Sequence, residues 1–303
     1  MVHVSVDHVV YDMSGEHRPA VNVEPLDELS IDTHDCFTGQ LTTDKDKFSQ
    51  VGWEKINPAT GPIAVTGAKP GDVLKVNIEG ISVSSHGVMV TAPGFGILSD
   101  ESIQEMTKIV PIEQSHAIFN ENLKVPIRPM IGVIGTTLPD RSVPCGTPGP
   151  HGGNMDCKEI TAGSRVYLPV NHDGGLLSLG DLHAVMADGE VSMTGLEVSG
   201  RVYLTADILS QKAYDLPLPL VSNNNHLMII HSEETLDEAV KLGTSKAVGF
   251  LTRHGNLSKE DALSLISLIG DIKICQVVNP LMTIRIELPW DYLNQLGIAE
   301  EQL

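Results

Sequence analysis

At 303 residues and 41% apolar content, the chain exceeds one ordinary domain and can bury a sizeable core, so two or three packed units are expected. Its 39 acids against 20 bases give a formal charge of -19, which repels phosphate backbones and anionic lipid and argues against nucleic-acid and membrane partners. No apolar run approaches the roughly 18 residues of a membrane span, Met1-Val-His-Val-Ser-Val-Asp7 lacks the pattern of a leader, and Cys36, Cys145, Cys157 and Cys275 form no close pair. A cytoplasmic, reducing location is expected.

In chain order, the first segment with chemistry is Asp32-Thr-His34-Asp35-Cys36-Phe-Thr-Gly39-Gln40. It offers a histidine, two acids and a thiol, although His34 and Asp35 would point to opposite faces of a regular strand. Asp72 to Glu79 alternates apolar and polar residues and predicts a half-buried strand, as do Val166 to Val170 and Val202 to Ile208. Frequent Gly and Pro between short strands imply a sandwich or barrel through residue 210.

The densest stretch runs from Pro148 to Glu197. It contains His151, Gly152, Gly153, Asn154 and Asp156, then Gly180-Asp181-Leu-His183, then Asp188-Gly189-Glu190, then Glu197. Imidazoles and carboxylates presented from adjoining turns suit a divalent cation. Asp181 and His183, two apart, share a face if extended, so both ligate or Asp181 orients the imidazole. Glu197 lies on the face of Val191 and Met193 if that strand is unbroken, which would bury its carboxylate; a bulge at Gly195 would turn it outward. Asp188-Gly189 predicts a hairpin turn.

After Pro219 the texture changes. Leu227 to Ile230 predicts a buried strand, Thr235 with Glu238 a capping box opening one helix, and Ser258 a second helix that stops at Gly270. Strands are expected at Ile272 to Val278 and Leu281 to Leu288, joined at Asn279-Pro280. The expected fold is therefore mostly β, a sandwich plus a barrel-like section over residues 1–210, with a small α+β unit over 211–303.

His34-Asp-Cys36, Pro126-Ile-Arg128-Pro-Met-Ile-Gly132, the run from Pro144 to Asp156, Leu168-Pro-Val170, Gly180-Asp-Leu-His183-Ala and Asp188-Gly-Glu190, taken together, resemble the acetamidase/formamidase family. The family's Gln-Gly-Asp-Gly-Glu is replaced by Met186-Ala187-Asp188-Gly189-Glu190, which bears on the shape of the amide pocket. The resemblance implies a β-rich fold and hydrolysis of a short amide such as formamide or acetamide to carboxylate and ammonia. On the metal-assisted version of this chemistry, Asp35, Asp156 and His183, with His34 and His151, are the candidate ligands of a divalent cation, zinc or alternatively calcium. Glu190 is the candidate general base and Glu197 its substitute or a further ligand. Gly152, Gly153 and Asn154 are candidate substrate-binding residues, the glycines through an oxyanion pocket. A homodimer is expected. Two alternatives stand beside this: a thiol-dependent amidase using Cys36 or Cys157, and a non-catalytic β-sandwich binding a cation and a sugar. Against the latter, aromatics are 4% and Trp53 and Trp290 lie far apart in sequence.

Overall fold

The computed structural model describes residues 1–212 and 215–303. Six strands bear on the site: β1 (Leu29–Thr33), β2 (Met130–Gly135), β3 (Gly152–Asn154), β4 (Leu177–His183), β5 (Glu197–Val198) and β6 (Asp271–Gln276). A nine-stranded sheet starts at Val2–Val4 and β1, continues through Gly200–Leu209, Val73–Val83 and Arg165–Pro169, and ends on Met282–Pro289 and the edge strand β6. In a second, 11-stranded sheet His86–Thr91, β5, β4, β2 and β3 lie side by side, and Ala59–Val65 branches off β4. Among the described residues neither sheet closes on itself. The architecture is mostly β with a small C-terminal α+β unit, as the sequence implies, and its barrel-like section stays open.

Strand periodicity builds two cores on one sheet. Along His226–Glu233, Met228 and Ile230 enter the core between the sheets, while Leu227 and Ile229 face the opposite way. That other face is covered by helices α1 (Leu236–His254) and α2 (Lys259–Ile269), whose Ala239, Ala247, Leu251 and Ala262 pack with Ile284 and Ile286. Both helices start where the sequence indicates. The Thr235 hydroxyl accepts from the Glu238 N–H, and the Ser258 hydroxyl from that of Asp261. No helix among the described residues is long and apolar enough to cross a membrane.

Two local expectations are modified. Asp188-Gly189 does form a turn, closed by the Glu190 N–H on the Ala187 carbonyl, but it is pinned to the tail instead of joining a hairpin: Gly189 N–H donates to the Cys275 carbonyl of β6. Residues 191–196 are turn and irregular chain, with Val191 57% exposed, so no continuous strand leads to Glu197. Glu197 is nevertheless buried, because β5 is clamped between β4 and His86–Thr91.

Candidate active site

The centre of the site is His183, at the end of β4 and directly opposite Glu197 on β5. Cross-strand partners stand close enough for side-chain contact, and His183 Nε2 lies 3.1 Å from Glu197 Oε1. Asp181 Oδ1 is 3.6 Å from the same nitrogen, and Asp156 Oδ1 and Glu190 Oε1 are each 3.8 Å away. Asp156 follows β3, where its chain turns back on β2. All five side chains are buried.

Backbone conformation aims three of the acids. Asp156, Asp181 and Glu190 have φ of 42°, 55° and 46°, in the left-handed region that L-residues seldom occupy. Room for two of them comes from Gly132 on β2: a Cβ there would stand 2.5 Å from Asp156 Oδ1 and 2.7 Å from Asp181 Oδ2. Gly195 plays the same part for the imidazole, since its Cβ would approach His183 Nδ1 to 2.6 Å. Its N–H also donates to Glu190 Oε1 at 3.0 Å.

Four carboxylates around one imidazole in a buried space conflict electrostatically unless protons or a cation offset them. Burial and the Asp181 charge raise Asp156 to about 6. Burial raises Glu197 to about 8 against the pull of His183, and burial with the Asp156 charge pushes Glu190 well above the carboxylate range. Burial alone would depress the His183 pKa, but Glu197 and Asp181 outweigh it and hold the imidazole well above its usual value. Several atoms here make no well-directed hydrogen bond, the 3.1 Å approach of Glu197 to His183 included: Asp156 Oδ1, both nitrogens of His183, Glu190 Oε2 and Glu197 Oε2. Donor atoms of Asp156, His183 and Glu190 lie within 4.8 Å of one another, as do those of Cys36, Asp181 and Glu197. Unpartnered oxygen and nitrogen donors at this spacing fit a divalent cation.

β1 ends at Thr33, and the turn after it directs Cys36 into the cluster, while Asp35 Oδ1 accepts from the N–H groups of Phe37 and Gly39. His34 lines a shallow surface concavity with Asp32 and Arg201. His151 is buried behind β3, outside both donor groups, with neither ring nitrogen partnered, and burial, then Arg141, lowers its pKa to about 4. Gly152 and Gly153 lie in β3 with left-handed φ of 97° and 77°, packed on β2, and the Gly152 N–H donates to the Gly149 carbonyl. Asn154 lines the open cavity above the cluster, with Oδ1 unpartnered. Cys157 is fully buried in the core between the sheets, whereas Cys36 reaches the cavity but has its thiol pKa pushed well up by burial and by the Glu197 and Asp181 charges.

Sequence reasoning passed over two contributors. Asn279, read only as a strand connection, donates from Nδ2 to Asp156 Oδ2 at 2.7 Å and to the Asn154 carbonyl at 3.0 Å. An aromatic wall also borders the cavity. Phe48 meets Trp53 and Phe95 edge-on at 5.2 and 5.3 Å, and Trp53 stacks on Phe95 at 5.5 Å.

Strained backbone and buried, mutually perturbing ionisable groups beneath an open cavity together describe an enzyme's active site. The pattern of the acetamidase/formamidase family matches residues 15–145 and 140–294; the chain belongs to this family of amidohydrolases. It is similar over 98% of its length to the crystal structure of an acetamidase from Bacillus halodurans, with TM-score 0.96, 41% identity and 100% of that chain covered. A predicted acetamidase/formamidase from Thermoanaerobacter tengcongensis gives TM-score 0.95 and 43% identity over 98% of each chain. A formamidase of Methylophilus methylotrophus is 26% identical over 291 residues, covering 72% of this chain and 70% of that protein.

Proposed function

We propose that the chain hydrolyses a primary carboxamide to carboxylate and ammonia at a divalent-metal centre held by Asp156 and His183, with Asp181 and Glu197 as further ligands. The observation that carries this reading is the convergence of unpartnered carboxylate oxygens, from acids that form the cavity floor, on one imidazole buried beneath it. Carboxylate and imidazole donors suit zinc, and the oxygen-rich set leaves calcium as the alternative. Such an ion supplies Lewis-acid polarisation of the amide carbonyl and a lowered pKa for water beside it.

The chain's own groups do the rest. Glu190 faces the cavity with Oε2 free, takes a proton from the attacking water and returns it to the departing nitrogen. Burial and Asp156 raise its pKa, which favours the protonated form that delivers a proton to nitrogen, and a cation beside it would favour the carboxylate that accepts one from water. Asn154 presents a free carbonyl oxygen to the amide NH₂, while Gly152 and Gly153 let β3 turn tightly enough to bring Asn154 and Asp156 to the site. Asn279 fixes the Asp156 carboxylate, leaving its Oδ1 toward His183.

The short formamide or acetamide class is the starting point for substrates. A thiol route through Cys36 is disfavoured by the burial and the neighbouring acids that raise its pKa. The four buried, free cysteines support a reducing, cytoplasmic setting. A homodimer is supported by the exposed apolar side chains Ile272 and Ile274 on edge strand β6 and Leu268 beside it. In this reading the unit 211–303 serves the body 1–210 by delivering Asn279 to the site.

The test is ammonia release from small primary amides by the purified protein, before chelation, after it, and after zinc is restored. Activity should vanish and return. Full turnover after thorough chelation, with no metal found by elemental analysis, would overturn the metal reading in favour of the thiol.

A further inference from the structure

We infer that the preferred substrate carries a neutral, ring-sized apolar group on its carboxamide, in the manner of an arylacetamide; this rests on the amide-hydrolase reading above. Acetamide has four heavy atoms, yet the cavity over the acid cluster measures about 600 Å³. Cavities of about 300–1,000 Å³ are those that enclose drug-sized ligands. A reaction confined to formamide or acetamide would leave most of this volume to water.

The chemistry of the walls is one-sided. Phe37, Phe48, Trp53 and Phe95 line it on one side, joined by Ile56 and Met193. Phe37 and Phe48 are anchored in a buried apolar cluster, whereas Trp53 is 59% and Phe95 37% exposed despite stacking on each other. Two large exposed rings beside a catalytic floor offer a flat partner the stacking and edge contacts that aromatic rings favour. Among the described residues no Lys, Arg or His lines this cavity, so no side chain of its walls would recognise a carboxylate or phosphate at the end of the substrate away from the amide. The group opposite the amide is therefore uncharged and apolar. A ring one methylene away from the carboxamide carbon would offer the Trp53–Phe95 wall a flat apolar face while leaving the amide free for the acids of the floor.

The experiment compares kcat/KM for acetamide, butyramide, phenylacetamide and the anionic amide succinamate with the metal-replete protein. Phenylacetamide should exceed acetamide by about tenfold or more, the discrimination an apolar pocket gives a group of this size, and succinamate should be the poorest. Trp53→Ala and Phe95→Ala, both surface-exposed changes, should each shrink the phenylacetamide-to-acetamide ratio several-fold, mainly through KM. Phenylacetamide should also quench the emission of Trp53, a response absent in Trp53→Phe, and this binding readout applies whether or not turnover occurs. Equal or better use of acetamide, an unchanged ratio in both variants, or absence of quenching overturns the inference while leaving amide hydrolysis intact. Loss of self-association in the two variants with the ratio unchanged also overturns it, assigning the rings to an interface between copies. Ammonia release from none of the amides, with quenching preserved, would instead refute the hydrolase reading and keep the apolar pocket.

Discussion

Asn279 and Asp156, 123 positions apart, are joined by a 2.7 Å hydrogen bond from the Asn279 amide to the carboxylate oxygen turned away from His183. A carboxylate so held presents its other oxygen in a fixed direction. Asn279→Ala is expected to weaken metal affinity or activity by about 10–100-fold, the usual effect of losing an outer partner of a ligand. Isothermal titration with zinc alongside ammonia-release rates measures both, and an unchanged affinity and rate would show that Asp156 needs no such support.

Ligand and proton carrier separate by substitution. His183→Ala and Asp156→Ala should each lose bound metal and turnover together, whereas Glu190→Gln should keep the metal and lose roughly 10²–10⁴-fold in kcat, the range for a positioned acid–base group. Metal content by elemental analysis beside kcat distinguishes them. Retained turnover in Glu190→Gln would move the base elsewhere, with Glu197 next in line.

Gly132 tests the packing beneath the acids. An added Cβ would press on Asp156 Oδ1, Asp181 Oδ2 and the Asp181 carbonyl, all within 2.9 Å. Gly132→Ala should therefore depress kcat far more than it lowers the melting temperature, because the atoms it displaces belong to the site more than to the core. A variant that loses its fold in circular dichroism but not its specific activity per folded molecule would contradict this.

Arg285 gives a pH-dependent contribution to stability outside the cluster of acids around His183. Its guanidinium, 2% exposed, is held by Asp188 at 2.6 and 2.9 Å and by Glu287 at 2.7 Å. Burial works to raise the Asp188 pKa, but hydrogen bonds from Arg285 and Lys158 outweigh it and hold the carboxyl below its usual value. Because the folded value lies below the unfolded one of about 3.9, the contribution is complete above about pH 5. It is lost as pH falls through the folded pKa. Asp188→Asn should cost about 2 kcal/mol at neutral pH, less than a fully buried pair because Glu287 remains. Urea midpoints from pH 7 to 3 should then fall less in the variant than in the parent, and parallel curves would dissociate Asp188 from the effect.

Much of this was legible in the residues. Alternation along Val73–Val83 and the caps at Thr235 and Ser258 are local signals, and they placed their elements within a few residues. His183, Glu190, Glu197 and Asp156 stood out because acids and imidazoles among glycines seldom serve packing. Less visible was which side chain of Asp32–Cys36 turns inward, since strand alternation stops at Thr33 and the following turn resets direction. Asn279 was hidden by its distance along the chain from Asp156. The aromatic wall left no periodic trace either: Phe37, Phe48 and Trp53 are spread over the connection between β1 and Ala59–Val65, the last two on single 3-10 turns, and Phe95 joins them from a turn after His86–Thr91.

The left-handed backbone at Asp156, Asp181 and Glu190 sets endurance against turnover. Each such residue sacrifices up to roughly 1–2 kcal/mol that glycine would recover. A library screened for survival at high temperature alone would accordingly enrich replacements at these three positions first, and its hardiest members would be inert.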